Sequence, residues 1–563
     1  MKRLISAVLL SAAVVVPTMA KNAKTLGNGY PFTQVPFTSV KISQNTFWGA
    51  RLKAAREVTV PLAFSKCESE HRYKNFDMAA YTLQHPNHPG LDTKEWDVSK
   101  FMGFSFDDTD VYKTIEGASY ILQTYPNKKL KAYIDSVLDV VAAAQEPDGY
   151  LYTARTINPK HPHQWSGNKR WVKDEEASHE LYNLGHMVDA ACAHYQATGS
   201  TKFLNIAKRY ADCVVKEVGP KPGQATIVPG HQIAEMALAR LYTLTGEKKY
   251  LDEAKYLLYN GVISGMSMDG GRFFYPNPLS SDGKYAFNAD GNTTRQPWFG
   301  CACCPSNLSR FIPSVPGYLY GVKDNNIYVN LFAGNTSTIK VNGKDVVLEE
   351  TTEYPWNGDI KIAVKKSGVK NANLLVRIPG WVRNQVVPSD LYKYSDAEKP
   401  AYTVTVNGKA VEADLDANKG YLPVKNIKKG DVIRIHFDMP IRTVVANGKV
   451  ADDKGKVAVE RGPLVYCAEA VDNQNEPVLR AVMAKKLAFS LVDNYSIQNT
   501  ETKGAPAFSV KAIKADAQIL EEGANGVSVK NNVLTLIPYY AWNHRGANQM
   551  NVWFYQNLSV LDK

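Results

Sequence analysis

The hydrophobic period of this chain changes once, near Asn325, and that change limits what each half can become. Before it, "VYKTIEGASYILQTY", "KLKAYIDSVLDVVAAAQ", "EASHELYNLGHMVDAACAHYQATG", "TKFLNIAKRYADCVVKEVG" and the long run "GHQIAEMALARLYTLTGEKKYLDEAKYLLYNGVI" carry apolar residues three and four positions apart. That is the spacing of helices with one buried face. After it, "NIYVNLFAG", "GDIKIAV", "YTVTVNG" and "DVIRIHF" alternate apolar and polar residues, with "VNGK" as hairpin turns, which is the pattern of half-buried strands. An all-helical domain therefore precedes β-sandwich material. The expected division is an N-terminal strand segment at 21–44, a helical domain at 45–322, a β-sandwich domain at 323–470 and a β-rich C-terminal domain at 471–563. Patterning is weakest across 470–530.

The first twenty residues, "MKRLISAVLLSAAVVVPTMA", join a charged start to an apolar run and a small-residue site suited to signal peptidase. They read as a cleavable secretory signal peptide rather than a membrane span. The expected location is the periplasm or the exterior, with no membrane anchor. The formal charge of +11 comes from lysines scattered along the chain. A nucleic-acid binder concentrates its basic residues on one face, so no nucleic-acid partner is expected.

Three of the seven cysteines fall within "FGCACCPSNLSR". Disulfides are the ordinary reading in an exported protein. Between such close neighbours they are strained, since the bond prefers a Cα separation of ~5.5 Å. A long-range disulfide from Cys301 stays open. For Cys303 and Cys304, coordination of a soft metal or thiolate chemistry ranks ahead of disulfide formation. Pro305 suits the first position of a helix, which would make Cys304 the N-cap. Free N–H groups and the helix dipole would then stabilise a thiolate there.

Two histidines stand at expected helix starts: His179 in "SHELYNLGH", with Glu180, Tyr182 and His186 following, and His231 in "VPGHQIAEMAL", with Glu235 one turn on. Either alone reads as a capping or core residue. Together they suggest one shared pocket. The connectors "RFFYPNPLSSDG" and "RQPWFG" add aromatic rings beside the cysteines, and such rings with polar donors suit the apolar C–H faces and hydroxyls of a sugar.

The runs "MDGGRFFYPNPLSSDG" and "TRQPWFGCACCPSNLSRF", with "FWGARL", "AAAQEPDGYLYT", "IVPGHQIAEMAL" and "IPYYAWNHRG", resemble glycoside hydrolase family 127, the β-L-arabinofuranosidase type, and its relative family 146. The resemblance runs from about Val40 to the C-terminus. It implies an (α/α)6-barrel-type helical domain followed by β-sandwich domains. It also implies retaining hydrolysis of β-linked L-arabinofuranose in plant cell-wall glycans. Cys303 matches the thiolate nucleophile, which a Zn²⁺ ion holds together with Cys304. His179 and His231 match residues that bind the sugar hydroxyls, and Tyr182 and Glu180 stand beside them as substrate-binding candidates.

Members of the family continue past the "GEKKYLDEAKYLL" helix with a further hairpin, an acid/base glutamate and a Glu-x-Cys pair that completes the zinc site. Here "YLLYNGVISGMSMDGG" passes straight to the later segment. The domain is thus shortened near 256–258, and periodicity supports about eight helices where a closed ring has twelve. Three functions are compatible with this departure. One is a hydrolase using Glu180, Glu235 or Asp269 as a substitute acid/base. Another is a relative that binds carbohydrate without cleaving it. The third is a structural zinc protein recruiting Cys67 or a histidine.

Overall fold

The computed structural model describes residues 33–91, 103–218 and 263–557, apart from 388–389, 419, 484–487 and 524–525, with single positions between 223 and 237. The expected signal peptide, Glu235 and the shortening expected near 256–258 lie outside the described residues.

Helix α1 (Phe47–Ala54) starts at Thr46, whose hydroxyl accepts the Gly49 N–H, and runs through a π turn into α2 (Val60–Ser69). Then come α3 (Arg72–Gln84), α4 (Asp108–Thr124), α5 (Lys128–Ala143), the single turn α6 (Thr153–Thr156), α7 (Glu180–Thr198), α8 (Lys202–Glu217) and, after a long connection, α9 (Cys303–Ser314). Side-chain capping fixes some of these ends, as where Asn127 accepts the N–H groups of Lys129 and Leu130. Helix α4 is the hub. It is buried without a break from Asp108 to Leu122, as expected for a helix covered on all sides. It packs on α7 and α9. A Cβ at Gly117 would stand 2.1 Å from the Ser309 carbonyl oxygen, so α9 lies on α4 only because that position has no side chain.

The β half holds three sheets. A seven-stranded sheet built around 335–341, 344–352, 359–367 and 432–437 ends on the N-terminal strand Val40–Ile42. A five-stranded sheet carries Thr33–Gln34 at one edge. The N-terminal segment thus fastens both sheets to the start of the helical domain. Alternating burial along Asn335–Val341 matches the period-two reading. From Ile441 onward the strands enter an eleven-stranded sheet, so the change of sheet falls about thirty residues before the expected boundary at 470. The longest strands, Phe508–Gly523 and Gly526–Pro538, form a hairpin in the region whose pattern was weakest. Neighbouring strand Phe489–Ile497 is largely solvent-facing, so little burial was written into the sequence there.

The helical and β halves are joined through the connection that precedes α9. Strand Ser280–Asp282 pairs with Gln549–Asn551. Arg295, 1% exposed, gives its guanidinium to the carbonyls of Trp542, Asn543 and Ser264 and stacks on Phe274. The Met268 N–H donates to His544 Nε2, 3.0 Å away. The "AWNHRG" run is therefore a buttress for the loop that carries the cysteines.

Candidate active site

Helix α9 begins at Cys303, with Ala302 as its N-cap. The sequence placed Cys304 at the cap. The start comes two residues earlier because the Ala302 carbonyl already accepts the Ser306 N–H and hydroxyl. Pro305 falls in the first turn, where a missing N–H has no partner to lose. Cys303 and Cys304 thus lie in the first turn itself.

All seven cysteines are free thiols, so the long-range disulfide from Cys301 is not formed. Cys301 Sγ and Cys304 Sγ each lie 3.8 Å from Cys303 Sγ. The Tyr275 hydroxyl stands 2.8 Å from Cys303 Sγ and 3.2 Å from Cys301 Sγ. Tyr275 is held by the Asn288 side chain at its N–H and by the edge of Phe299. Among protein groups alone, the hydrogen bond from Cys303, working against burial, pulls the Cys304 thiol below its ordinary value. At Cys303 the Cys301 bond pulls down, but Cys304 and burial outweigh it and leave that thiol raised. The sulfur-rich donor set suits a thiophilic ion such as zinc.

A wall of rings forms around the start of α7. His179, left-handed at φ 54°, ends a π turn and starts α7. Its ring lies 4.8 Å from that of His231 and 5.3 Å from Phe106. Tyr182 lies 5.1 Å from His231, and Trp165 stacks on Phe104 and Phe106. Burial first, then the neighbouring His231, lowers His179 below the usual histidine range, which keeps it neutral. The two histidines singled out in the sequence do meet, with the half-buried Tyr182 beside both. Gly185 lets the segment after His231 reach α7, since a Cβ there would lie 2.7 Å from Ile233 Cγ2.

Lys113 joins wall to cluster. Its ammonium donates to the Tyr182 hydroxyl at 2.8 Å. Burial opposes its charge, but Tyr182, Asp110 and Cys303 hold it in the cationic form. Beneath, Arg72 pairs with Asp107 at 2.9 Å and with Asp110 at 3.2 Å, and Ser306 of α9 donates to Asp110. Sequence reasoning missed Lys113, Tyr275 and this Arg72 pair of aspartates. The available signal was the charge inside "DTDVYKTIEGASYIL", a helix otherwise written for burial.

Three expectations are corrected. Glu180 is not in the pocket: it is fully buried, accepting from Tyr150 at 2.5 Å and from the Trp171 N–H and Ser178 hydroxyl at 2.9 Å. Its position one residue after the left-handed His179 turns it into the core. Asp269 accepts from Asn499, in the loop after strand Phe489–Ile497. Cys67 is buried against Thr114, where burial pushes its thiol up to about 12. Elsewhere, Asp148, Cys213 and Glu217 come within metal-ligand reach of one another. Arg170 already pairs with Asp148, Glu217 and Glu146, so that group is an ion-pair cluster.

A helical domain whose buried hub brings thiols, histidines and stacked rings to one face, followed by β-sheets, is the build of a carbohydrate-active enzyme. Comparison with known proteins makes this specific. Residues 39–258 and 256–317 match the family description "Beta-L-arabinofuranosidase, GH127 catalytic domain", residues 326–439 its middle domain and residues 441–555 its C-terminal domain. The chain belongs to glycoside hydrolase family 127. The two catalytic-domain stretches abut at 256–258, where the sequence places the shortening. A non-reducing end β-L-arabinofuranosidase of Bifidobacterium longum is 27% identical, with 80% of this chain and 89% of that protein covered. That alignment spans 615 positions against 563 residues here, so the relative carries residues this chain lacks. Among solved structures, the GH127 β-arabinofuranosidase BT3674 is 44% identical with a TM-score of 0.82, covering 94% of this chain and 99% of that one. A GH127 β-L-arabinofuranosidase from Geobacillus stearothermophilus T6 is 25% identical with a TM-score of 0.74, covering 92% and 99%.

Proposed function

We propose that the protein is an exported retaining hydrolase of β-linked L-arabinofuranose, with Cys303 as nucleophile. The observation that supports this reading is Lys113 of α4, whose ammonium donates to Tyr182 of the histidine wall while α4 itself packs on α9, which carries the cysteines. The sugar ring lies against Phe106, Trp165 and His179, and His179 and His231 bind its hydroxyls. Cys303 Sγ attacks the anomeric carbon as the glycosidic C–O bond breaks and the leaving oxygen takes a proton from solvent, and water then displaces the sulfur from the anomeric carbon with loss of a proton, releasing arabinose with retained configuration. Tyr275, whose hydroxyl lies 2.8 Å from Cys303 Sγ, orients the sulfur. Cys303 and Cys304 would hold the zinc ion, which when bound keeps sulfur deprotonated at neutral pH. The helical domain is read as an incomplete (α/α)6 ring. Its described part contributes nine helices.

The test is release of the chromophore from a β-L-arabinofuranoside with zinc quantified in the same samples. Cys303→Ser should abolish turnover, since a hydroxyl at this position lacks both the low pKa and the metal affinity of the thiol. Activity of Cys303→Ser equal to the native chain would refute the assignment.

One observation favours a second reading, a family member that binds the sugar and cleaves it poorly. Cleavage needs a proton donor at the leaving oxygen. Among the described residues, Glu180 is spent in the core and Asp269 on Asn499, while Asp107 is paired with Arg72. Sugar binding by calorimetry with no detectable turnover in native protein would establish this reading over the first.

A further inference from the structure

Hydrolysis moves two protons: one to the leaving oxygen as the glycosidic bond breaks, and one away from the water that completes the reaction. Among the described residues, Glu180, Asp269 and Asp107 are held by other partners, which leaves room for a donor of another kind. We infer that Tyr182 stands between solvent and the reacting oxygens as the acid/base, with the Lys113 ammonium stabilising its phenolate between the two steps. This rests on the reading of the protein as a retaining hydrolase with Cys303 as nucleophile, and supplies the residue that reading lacks.

An ammonium has donors and no acceptor. Lys113 Nζ, at 2.8 Å, therefore donates to the Tyr182 oxygen, and the tyrosine's own hydrogen stays uncommitted, with no acceptor for it among the described residues. Other phenols nearby are engaged: Tyr275 stands against Cys301 and Cys303, Tyr150 donates to Glu180, and Tyr152 donates to the Ser178 carbonyl. The half-buried Tyr182 ring lies 6.1 Å from His179 and 5.1 Å from His231, the residues read as binding the sugar hydroxyls. One turn of α4 links it to the nucleophile. Asp110 and Lys113 share a face of that helix. Asp110 accepts at 3.4 Å from Ser306, whose hydroxyl also reaches the Ala302 and Cys303 carbonyls in the first turn of α9. Lys113, one turn on, is fully buried, and its charge acts on Cys303 and Cys304 as well as on Tyr182. In the first step the bond from Cys303 sulfur to the anomeric carbon forms, the C–O bond breaks, and the Tyr182 proton passes to the leaving oxygen. The phenolate so formed sits beside a buried cation, where low polarity strengthens the attraction. In the second step the phenolate takes a proton from water as the water oxygen bonds to the anomeric carbon. The C–S bond breaks with its electrons returning to sulfur. Tyr182 ends protonated and Cys303 ends as the thiolate, so the cycle closes.

The experiment compares two leaving groups on the full chain supplemented with zinc. The 4-nitrophenyl β-L-arabinofuranoside releases an oxygen that departs without a proton, and the methyl glycoside releases one that cannot. Tyr182→Phe should lower kcat/KM for the methyl glycoside by the ~10²–10⁴-fold that a general acid contributes, and should leave kcat/KM for the nitrophenyl glycoside much closer to native. A tyrosine that only binds sugar or supports the pocket would lower both by the same factor, so an equal loss on the two substrates overturns the assignment. Native-like values on both overturn it as well. Lys113→Met keeps the hydroxyl and removes the cation, and should show the same leaving-group bias; an unbiased loss there overturns the role given to the ammonium. If the native chain releases neither leaving group, the hydrolase reading fails and this inference with it. If Cys303→Ser is inactive while Tyr182→Phe shows no bias, this inference fails alone.

Discussion

Glu180 and Cys303 show how one position decides the role of a reactive side chain. Both sit at helix starts, yet the left-handed turn at His179 sends Glu180 inward to three donors, whereas Cys303 stays half-exposed beside Tyr275. Burial pushes Glu180 up to about 7, from 4.5 in the unfolded chain, and its hydrogen bonds only partly offset this. The native state therefore binds more protons than the unfolded state between these values. Stability should be highest below about pH 4.5 on account of this group and should decline as pH rises to about 7. Glu180→Gln should remove that part of the slope. It should also cost about 1–3 kcal/mol at low pH by leaving a buried donor unsatisfied. Melting temperatures of native and variant protein from pH 5 to 8 would show it. A parallel pair of curves would contradict this account.

At the scale of elements, α4 is what the rest is assembled on. It carries Lys113 and Asp110 toward the site and, at Gly117, accepts the backbone of α9. Gly117→Ala puts a methyl group against the Ser309 carbonyl, which belongs to a helix and cannot step aside. The expected cost is about 1–3 kcal/mol, together with reduced turnover, because the cysteine turn moves with α9. Gly448→Ala meets nothing within 4 Å and should leave both melting temperature and rate close to native. Sequence reading found α4, α5, α7 and α8 because their 3.6-residue period is local. It placed the start of α9 two residues late, since proline was read as the first helical residue when the earlier Ala302 carbonyl had already closed the turn.

For the whole molecule, the loop that carries the cysteines is held by the C-terminal sheet. Arg295 is the main tie, and burial lowers its pKa to about 9 while three carbonyls receive its protons. Arg295→Ala should destabilise the protein by roughly 1.5–3 kcal/mol for the charge-assisted bonds alone, with further loss from packing. It should lower turnover even though no atom of Arg295 approaches the cysteines. Activity retained at a lowered melting temperature would separate the two effects and show that the loop holds without its tie. Export is tested independently: the intact mass of periplasmic protein should correspond to a chain beginning near Lys21, and retention of Met1 to Ala20 would reject it.

By itself the sequence determined the order of the two structural classes, the strands that alternate, the cysteine turn and the meeting of His179 with His231, because period, turn chemistry and motif are properties of neighbouring residues. What tertiary structure decided was which charged groups share a space. Lys113 reaches Tyr182 across 69 positions of chain, Arg72 reaches Asp107 and Asp110, and Arg295 reaches Trp542 across 247. Such pairings depend on the register in which α4, α7 and α9 pack, and no local pattern encodes that register. The same reason kept Glu180 out of the pocket: two positions from Tyr182 it lies on the other side of α7, and the backbone turn at His179 and the three donors of the core set its direction.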